Sequence, residues 1–382
     1  MKKNSFKCRC CGKLISNRSI LEYKNMPAKA QFFPSIEELN QDKGIDLNLC
    51  VCNYCGLIQL TNDPVYYYRD VIRAASVSEE MREFRIKYFA HFLQKYDLSS
   101  KRIIEIGSGN GEFMSYMKAA GGKVYGVEHN HDSVEYSVSL GYNVEEGFPD
   151  GSDFILKNGP FDAFYIMNFL EHIPNPGVFL NAIANNLCDG AIGLIEVPNT
   201  DVIIKNLMFS EFMLDHLCYY TSDSLRRLLE INGFDVLESS SVWHDYCLCA
   251  IVRKRTTSTF DNFHVQQKKN IDEVKKFVSS RVEAGKKVAV WGAGHQALAV
   301  LSLSGIGEKI EFVVDSADFK QNKYTPGSHC LVISPSTLLE KKVDSILVMA
   351  ASYSDEVCRI IQDRYKDIEI AVYRESGLEY KC

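Results

Sequence analysis

Glu105, Gly107, Gly109 and Gly111 stand at alternate positions in IIEIGSGNGEF, residues 103–113, and an acidic residue followed by three spaced glycines suits nucleoside binding. Ile103, Ile104 and Ile106 read as a buried parallel strand, and the glycines strip side chains from the turn after it, so that main chain can approach a ligand closely. The spacing is G-x-G-x-G, whereas a pyrophosphate on a helix N-terminus is seated by G-x-G-x-x-G, which argues for a nucleoside without a diphosphate. S-adenosylmethionine fits that description. A second apolar strand ends on Glu128, about twenty residues past the first glycine, where a carboxylate can accept from both ribose hydroxyls. A glycine turn alone could be a plain strand-to-helix connection; Glu105 and Glu128 together favour the ligand.

A second set of chemistry-bearing residues is cysteine. Six of the thirteen cysteines lie in the first 55 residues, including the C-x-x-C pairs Cys8/Cys11 and Cys52/Cys55, each followed by glycine. Four thiolates at this spacing make a tetrahedral, structural Zn2+ site in a module too small to fold on its own core. The surplus thiols Cys10 and Cys50 leave the ligand choice open.

The elements that must position these residues alternate between helix and strand. A helix over 81–96 precedes strand 103–106, a helix over 112–120 and strand 123–127, and two further apolar runs near 161–173 and 190–198 flank the amphipathic helix of 179–187. This is the pattern of an α/β doubly wound sheet, in which ligands sit at the carboxyl ends of strands, where Gly107, Glu128, Asn168 and Pro198 would gather. A polar basic stretch at 253–270 leads through a helix at 271–285 into a third segment from Lys286, where VAVWGAGHQA is again strand, glycine turn and helix, with Asp315 about twenty residues after Gly294. The expected domains are 1–65, a zinc-binding module; 66–255, a nucleoside-binding α/β domain; and 256–382, a Rossmann-like α/β domain.

The totals exclude several partners. With 382 residues, 46% apolar content and a net charge of −6, the chain has the composition of a globular protein and no electrostatic reason to seek nucleic acid or anionic membrane. No secretory leader and no membrane-length apolar run is legible, so a cytoplasmic location and a small-molecule substrate are expected.

The order of motifs resembles the sugar C-methyltransferase-like family. The resemblance runs over nearly the whole chain and is carried by CNYCGLIQL at 52–60, the glycine motif, LEHIPNP at 170–176, DHLCYYTSDSL at 215–225 and KQNKYTPGSH at 320–329. It implies a zinc-binding N-terminal domain, a class I S-adenosylmethionine-dependent methyltransferase domain and a C-terminal Rossmann-like domain that helps hold a nucleotide-linked sugar. Residue by residue it implies zinc on Cys8, Cys11, Cys52 and Cys55, cofactor on Glu105, Gly107, Gly109 and Glu128, and His216 as the base that takes a proton from carbon. The family's Tyr-x-Glu-His segment is Met213-Leu214-Asp215-His216 here, and a second family tyrosine falls at Ile72, so the acceptor atom, carbon, oxygen or nitrogen, is left open.

Methyl transfer from a sulfonium is an in-line displacement that needs alignment and a deprotonated acceptor. His216 is a suitable base; His172, in the loop after the fourth strand, is the second candidate, and Asp215 orients a group other than its sequence neighbour. The run Tyr66, Tyr67, Tyr68 reads as packing. Two competing classes are a nicotinamide-dependent oxidoreductase using Gly292, Gly294 and Asp315, and a non-enzymatic zinc-ribbon adaptor.

Overall fold

A computed structural model describes residues 5–16, 19–70, 78–256, 260–365 and 367–381. The chain divides into two compact units, Met1–Thr257 and Ser258–Cys382. Among the described residues no helix is long and apolar enough to cross a membrane.

In the first unit, seven strands form one sheet: β1 (Arg102–Ile106), β2 (Lys123–Glu128), β3 (Asn143–Glu146), β4 (Phe161–Met167), β5 (Leu187–Pro198), β6 (Phe234–Val242) and β7 (Cys247–Lys254). Their order is β6-β7-β5-β4-β1-β2-β3, parallel from β5 to β3, with β7 antiparallel to both β5 and β6. Alternate residues of β1 serve the two faces. Ile104 and Ile106 pack with α4 (Pro176–Ala184) and α5 (Ser222–Ile231), and Ile103 packs with α1 (Glu79–Lys95) and α2 (Glu112–Ala119). Strand order reverses between β1 and β4, so the crevice outside their carboxyl ends is where this fold binds ligands.

Helix α1 starts where the sequence supplies a cap: Ser78 Oγ accepts from Met81 N at 3.2 Å, with Glu79 and Glu80 in the first turn. It carries Arg85, whose guanidinium makes two 2.5 Å bonds to the carboxylate of Glu196 on β5, both side chains being almost wholly buried. Asn168, just past β4, donates Nδ2 to the same carboxylate at 3.1 Å. One buried charge pair thus fixes α1, β4 and β5 at the ligand end of the sheet.

The cysteine-rich segment does not close on itself. Strands Leu21–Met26, Ile45–Val51 and Ile58–Leu60 form an antiparallel sheet whose fourth strand, Cys218–Tyr219, comes from much later in the chain, with Cys218 opposite Gln59 and Tyr219 opposite Ile58. The sequence expectation of a boundary near residue 65 did not include this strand, which is too short to carry a periodic signal.

The second unit begins with α6 (Asp261–Glu283), which starts about ten residues earlier than expected. It packs on a sheet of β8 (Val288–Trp291), β9 (Val313–Val314), β10 (Val332–Ile333), β11 (Ser345–Val348), β12 (Glu369–Arg374) and β13 (Gly377–Lys381). The order is β10-β9-β8-β11-β12-β13, parallel except for the last pair.

Candidate active site

Gly107, Gly109 and Gly111 follow β1 with φ values of +72°, +54° and +85°, in the left-handed region that favours glycine. A Cβ on Gly107 would come within 3.1 Å of the Phe169 ring, whereas one on Gly109 would meet nothing closer than 3.7 Å. Gly109 is therefore the open face of the loop. Glu128 at the end of β2 accepts from Gly109 N at 2.7 Å through Oε2 and from Asn130 N at 2.9 Å through Oε1. Each carboxylate oxygen retains a second lone pair, so the side chain that fixes the loop can also accept from a ribose diol. An open glycine cradle beside a largely buried acceptor fits an adenosyl group.

Glu105 differs from the expectation of direct ligand contact. It is fully buried and accepts the Tyr165 hydroxyl at 2.9 Å, because its place on β1 turns it towards α1 and α2 instead of towards the crevice. It supports the strand under the loop. Asn168, in the left-handed region at φ +48°, has both its main-chain N–H and its amide Nδ2 committed to Glu196, leaving Oδ1 as its acceptor at the crevice.

The two histidines come together from distant segments. His172 lies in a single helical turn (Leu170–His172) after β4, His216 precedes strand Cys218–Tyr219, and their ring centroids are 4.7 Å apart with the rings near perpendicular. His172 is buried and donates Nδ1–H to the carbonyl of Asp215 at 2.8 Å, so its neutral form carries the lone pair on Nε2. Burial pulls the His216 imidazole down to about 4, which keeps it neutral, with a ring lone pair, throughout the neutral range. Asp215 does not pair with His216: its Oδ1 accepts the Tyr67 hydroxyl at 3.0 Å, and burial raises its carboxyl pKa. Tyr66 is exposed, while Tyr67 is buried and part of this cluster, a contact that sequence spacing of almost 150 residues could not reveal. Tyr219 exchanges hydrogen bonds with the main chain of Met213, and Tyr220 is fully buried. Ile72 lies outside the described residues.

The four predicted thiols converge. The Sγ atoms of Cys8, Cys11, Cys52 and Cys55 all lie within 4.8 Å of one another, with Cys8 to Cys55 at 3.5 Å and Cys11 to Cys52 at 3.6 Å. A tetrahedron of sulfurs around zinc has edges of about 3.8 Å, so the donor set fits the metal. Both turns have the same form: Gly12 N bonds Cys8 O and Gly56 N bonds Cys52 O, with the glycines at φ +68° and +79°. Cys10 and Cys50 are buried outside the quartet. Hydrogen bonding to Cys55, then burial, pushes the Cys8 thiol up to about 12.

In the second unit the turn after β8 and the end of β11 border a cleft of about 440 Å³ that includes Gly292, Gln296, Asp315 and Lys320. Asp315 accepts from Ala293 N and Lys320 Nζ through Oδ2 and from Ala317 N through Oδ1. Its charge is already matched by a lysine, so the nicotinamide reading finds no support there.

Residues 78–239 match the methyltransferase domain family, and residues 252–368 match the C-methyltransferase C-terminal domain family. The chain is similar to the C-methyltransferase NovU of Streptomyces niveus, 23% identical over 92% of this chain and 90% of that protein. It is also similar to a ubiquinone biosynthesis O-methyltransferase of Shewanella halifaxensis, 24% identical over 32% of this chain and 55% of the relative. With a methyltransferase domain and a C-methyltransferase C-terminal domain in succession, and similarity to a C-methyltransferase along nearly its whole length, the chain is an S-adenosylmethionine-dependent methyltransferase.

Proposed function

We propose that this methyltransferase acts in the cytoplasm on a nucleotide-activated sugar or related glycan precursor, transferring the methyl group to carbon or oxygen with assistance from a base. The observation that carries this reading is a C-methyltransferase C-terminal domain at 252–368 on the same chain as the glycine loop and the histidine pair. We assign residues 1–65 to a zinc module, 66–255 to the methyltransferase domain and 256–382 to substrate binding.

Bound S-adenosylmethionine supplies an electrophilic methyl group on a positive sulfur. In this reading Glu128 accepts from the ribose and fixes the loop through Gly109 N, the Gly107–Gly111 loop approaches the adenosyl group without side chains between, and Phe169 leaves little room for a side chain at position 107. His216, in ring contact with His172 in the loop after β4, takes the proton from the acceptor atom through its neutral imidazole. His172 keeps its proton on Nδ1, fixed by the Asp215 carbonyl, and presents Nε2 beside His216. Zinc on Cys8, Cys11, Cys52 and Cys55 would take no part in the chemistry.

Mass spectrometry of nucleotide-sugar pools from cells with and without the protein tests the substrate. A species heavier by one CH2 unit and dependent on the protein supports the reading, and its absence refutes it. Deuterium placed on the acceptor carbon is lost only in C-methylation.

A further inference from the structure

Arg9 sits inside the first cysteine turn, yet its contacts lead away from it. Its Nη1 donates to the carbonyl of Pro174 at 3.2 Å and its Nη2 to the carbonyl of Asn62 at 2.8 Å. Pro174 is two residues past His172, in the same short loop. The main-chain N–H of Arg9 donates to Gln59 Oε1 at 2.9 Å, and Gln59 Nε2 donates to Cys8 Sγ at 3.3 Å. Gln59 is fully buried and lies opposite Cys218, two residues beyond His216. The first cysteine turn is therefore in direct polar contact with the loop bearing His172, and through Gln59 with the strand that follows His216. A short hairpin, Ser5–Lys7 with Leu14–Ser16, and the Cys8–Lys13 and Gly12–Cys8 main-chain bonds shape the turn itself, whereas the four gathered sulfurs tie it to the Cys52–Cys55 turn and so set where Arg9 stands relative to Pro174.

We propose that Arg9 is a positioning residue through which metal occupancy of the four-thiol site sets the placement of His172. The proposal rests on the reading of Cys8, Cys11, Cys52 and Cys55 as a metal site. It makes the N-terminal segment an active-site clamp, and it predicts that oxidation or loss of the thiols disables the histidine pair before it disturbs the glycine loop, which Glu128 holds independently.

The test uses the full-length protein with 15N-labelled histidine. The His172 Nδ1–H signal is protected from solvent by its bond to Asp215 and is assigned from a His172→Gln sample. Zinc content is measured by elemental analysis and the donor site by calorimetry with S-adenosylhomocysteine. In Arg9→Met the expected result is unchanged zinc content and unchanged S-adenosylhomocysteine affinity, with the His172 Nδ1–H signal lost or broadened; chelating the metal from the natural protein gives the same loss. Arg9→Lys keeps the charge but cannot reach both carbonyls, and it shows a milder form of the same change should Arg9→Met fail to bind S-adenosylhomocysteine. A His172 signal that stays sharp in the Arg9 variants and in stripped protein overturns the proposal. A protein that carries no zinc when purified overturns the metal reading itself, which is a separate outcome.

Discussion

His172 Nδ1 and the carbonyl oxygen of Asp215 are 2.8 Å apart, so that one main-chain group decides which nitrogen of a buried imidazole carries the proton. A carbonyl can only accept, and the proton must therefore sit on Nδ1. This bond joins the loop after β4 to the segment before strand Cys218–Tyr219 and brings His172 and His216 into ring contact.

His216→Gln should abolish methyl transfer while S-adenosylhomocysteine binding by calorimetry is retained. In the natural protein the acid limb of the rate profile should fall near 4, the value to which desolvation lowers the His216 imidazole. An acid limb near the ordinary histidine value of about 6.5 would remove His216 as the base.

The same group predicts a stability trend. Its folded pKa of about 4 lies below the unfolded value, so the unfolded chain takes up the proton first as pH falls. Its contribution is intact above about 6.5 and is lost progressively as pH drops towards 4. Urea denaturation across this window should show a shallower fall for His216→Gln than for the natural protein.

Glu128→Ala removes the acceptor for Gly109 N–H and for the proposed ribose diol. Two charge-assisted hydrogen bonds at about 1.5–3 kcal/mol each imply a loss in S-adenosylhomocysteine affinity of roughly 100-fold or more. Calorimetry that finds affinity unchanged would refute the role.

Arg85→Met strands the Glu196 carboxylate inside the protein beside Asn168. Breaking one side of a buried pair costs about 3–5 kcal/mol. Chemical denaturation should register this loss, and the Arg85→Met/Glu196→Leu double variant should recover much of it.

Cys52→Ser should lower zinc content below one ion per chain and reduce thermal stability, with the glycine loop retained. Zinc content equal to that of the natural protein would move the site to the thiols outside the quartet.

Legibility followed the reach of each signal. The glycine loop, the strands before and after its helix and the C-x-x-C turns are local patterns, each written within about ten residues, and strand, loop and helix lie where the spacing predicts. Strand Cys218–Tyr219 is two residues long and owes its existence to Ile58–Leu60. The Tyr67 contact to Asp215 and the Arg85 pair with Glu196 cross more than a hundred residues and follow no period. Glu105 illustrates the limit within a motif, since its place in the motif suggests a ligand contact while the alternation of β1 directs it into the core.

The sequence by itself determined the doubly wound sheet, the glycine loop and the two C-x-x-C turns, because strand, turn and knuckle are short-range consequences of residue type and spacing. The tertiary structure alone decided which histidine faces which, where Asp215 and Arg9 are spent, and that the cysteine-rich sheet takes its last strand from the residues after His216. Those relationships depend on packing and on unique hydrogen-bond partners, which exist only when distant segments are brought together.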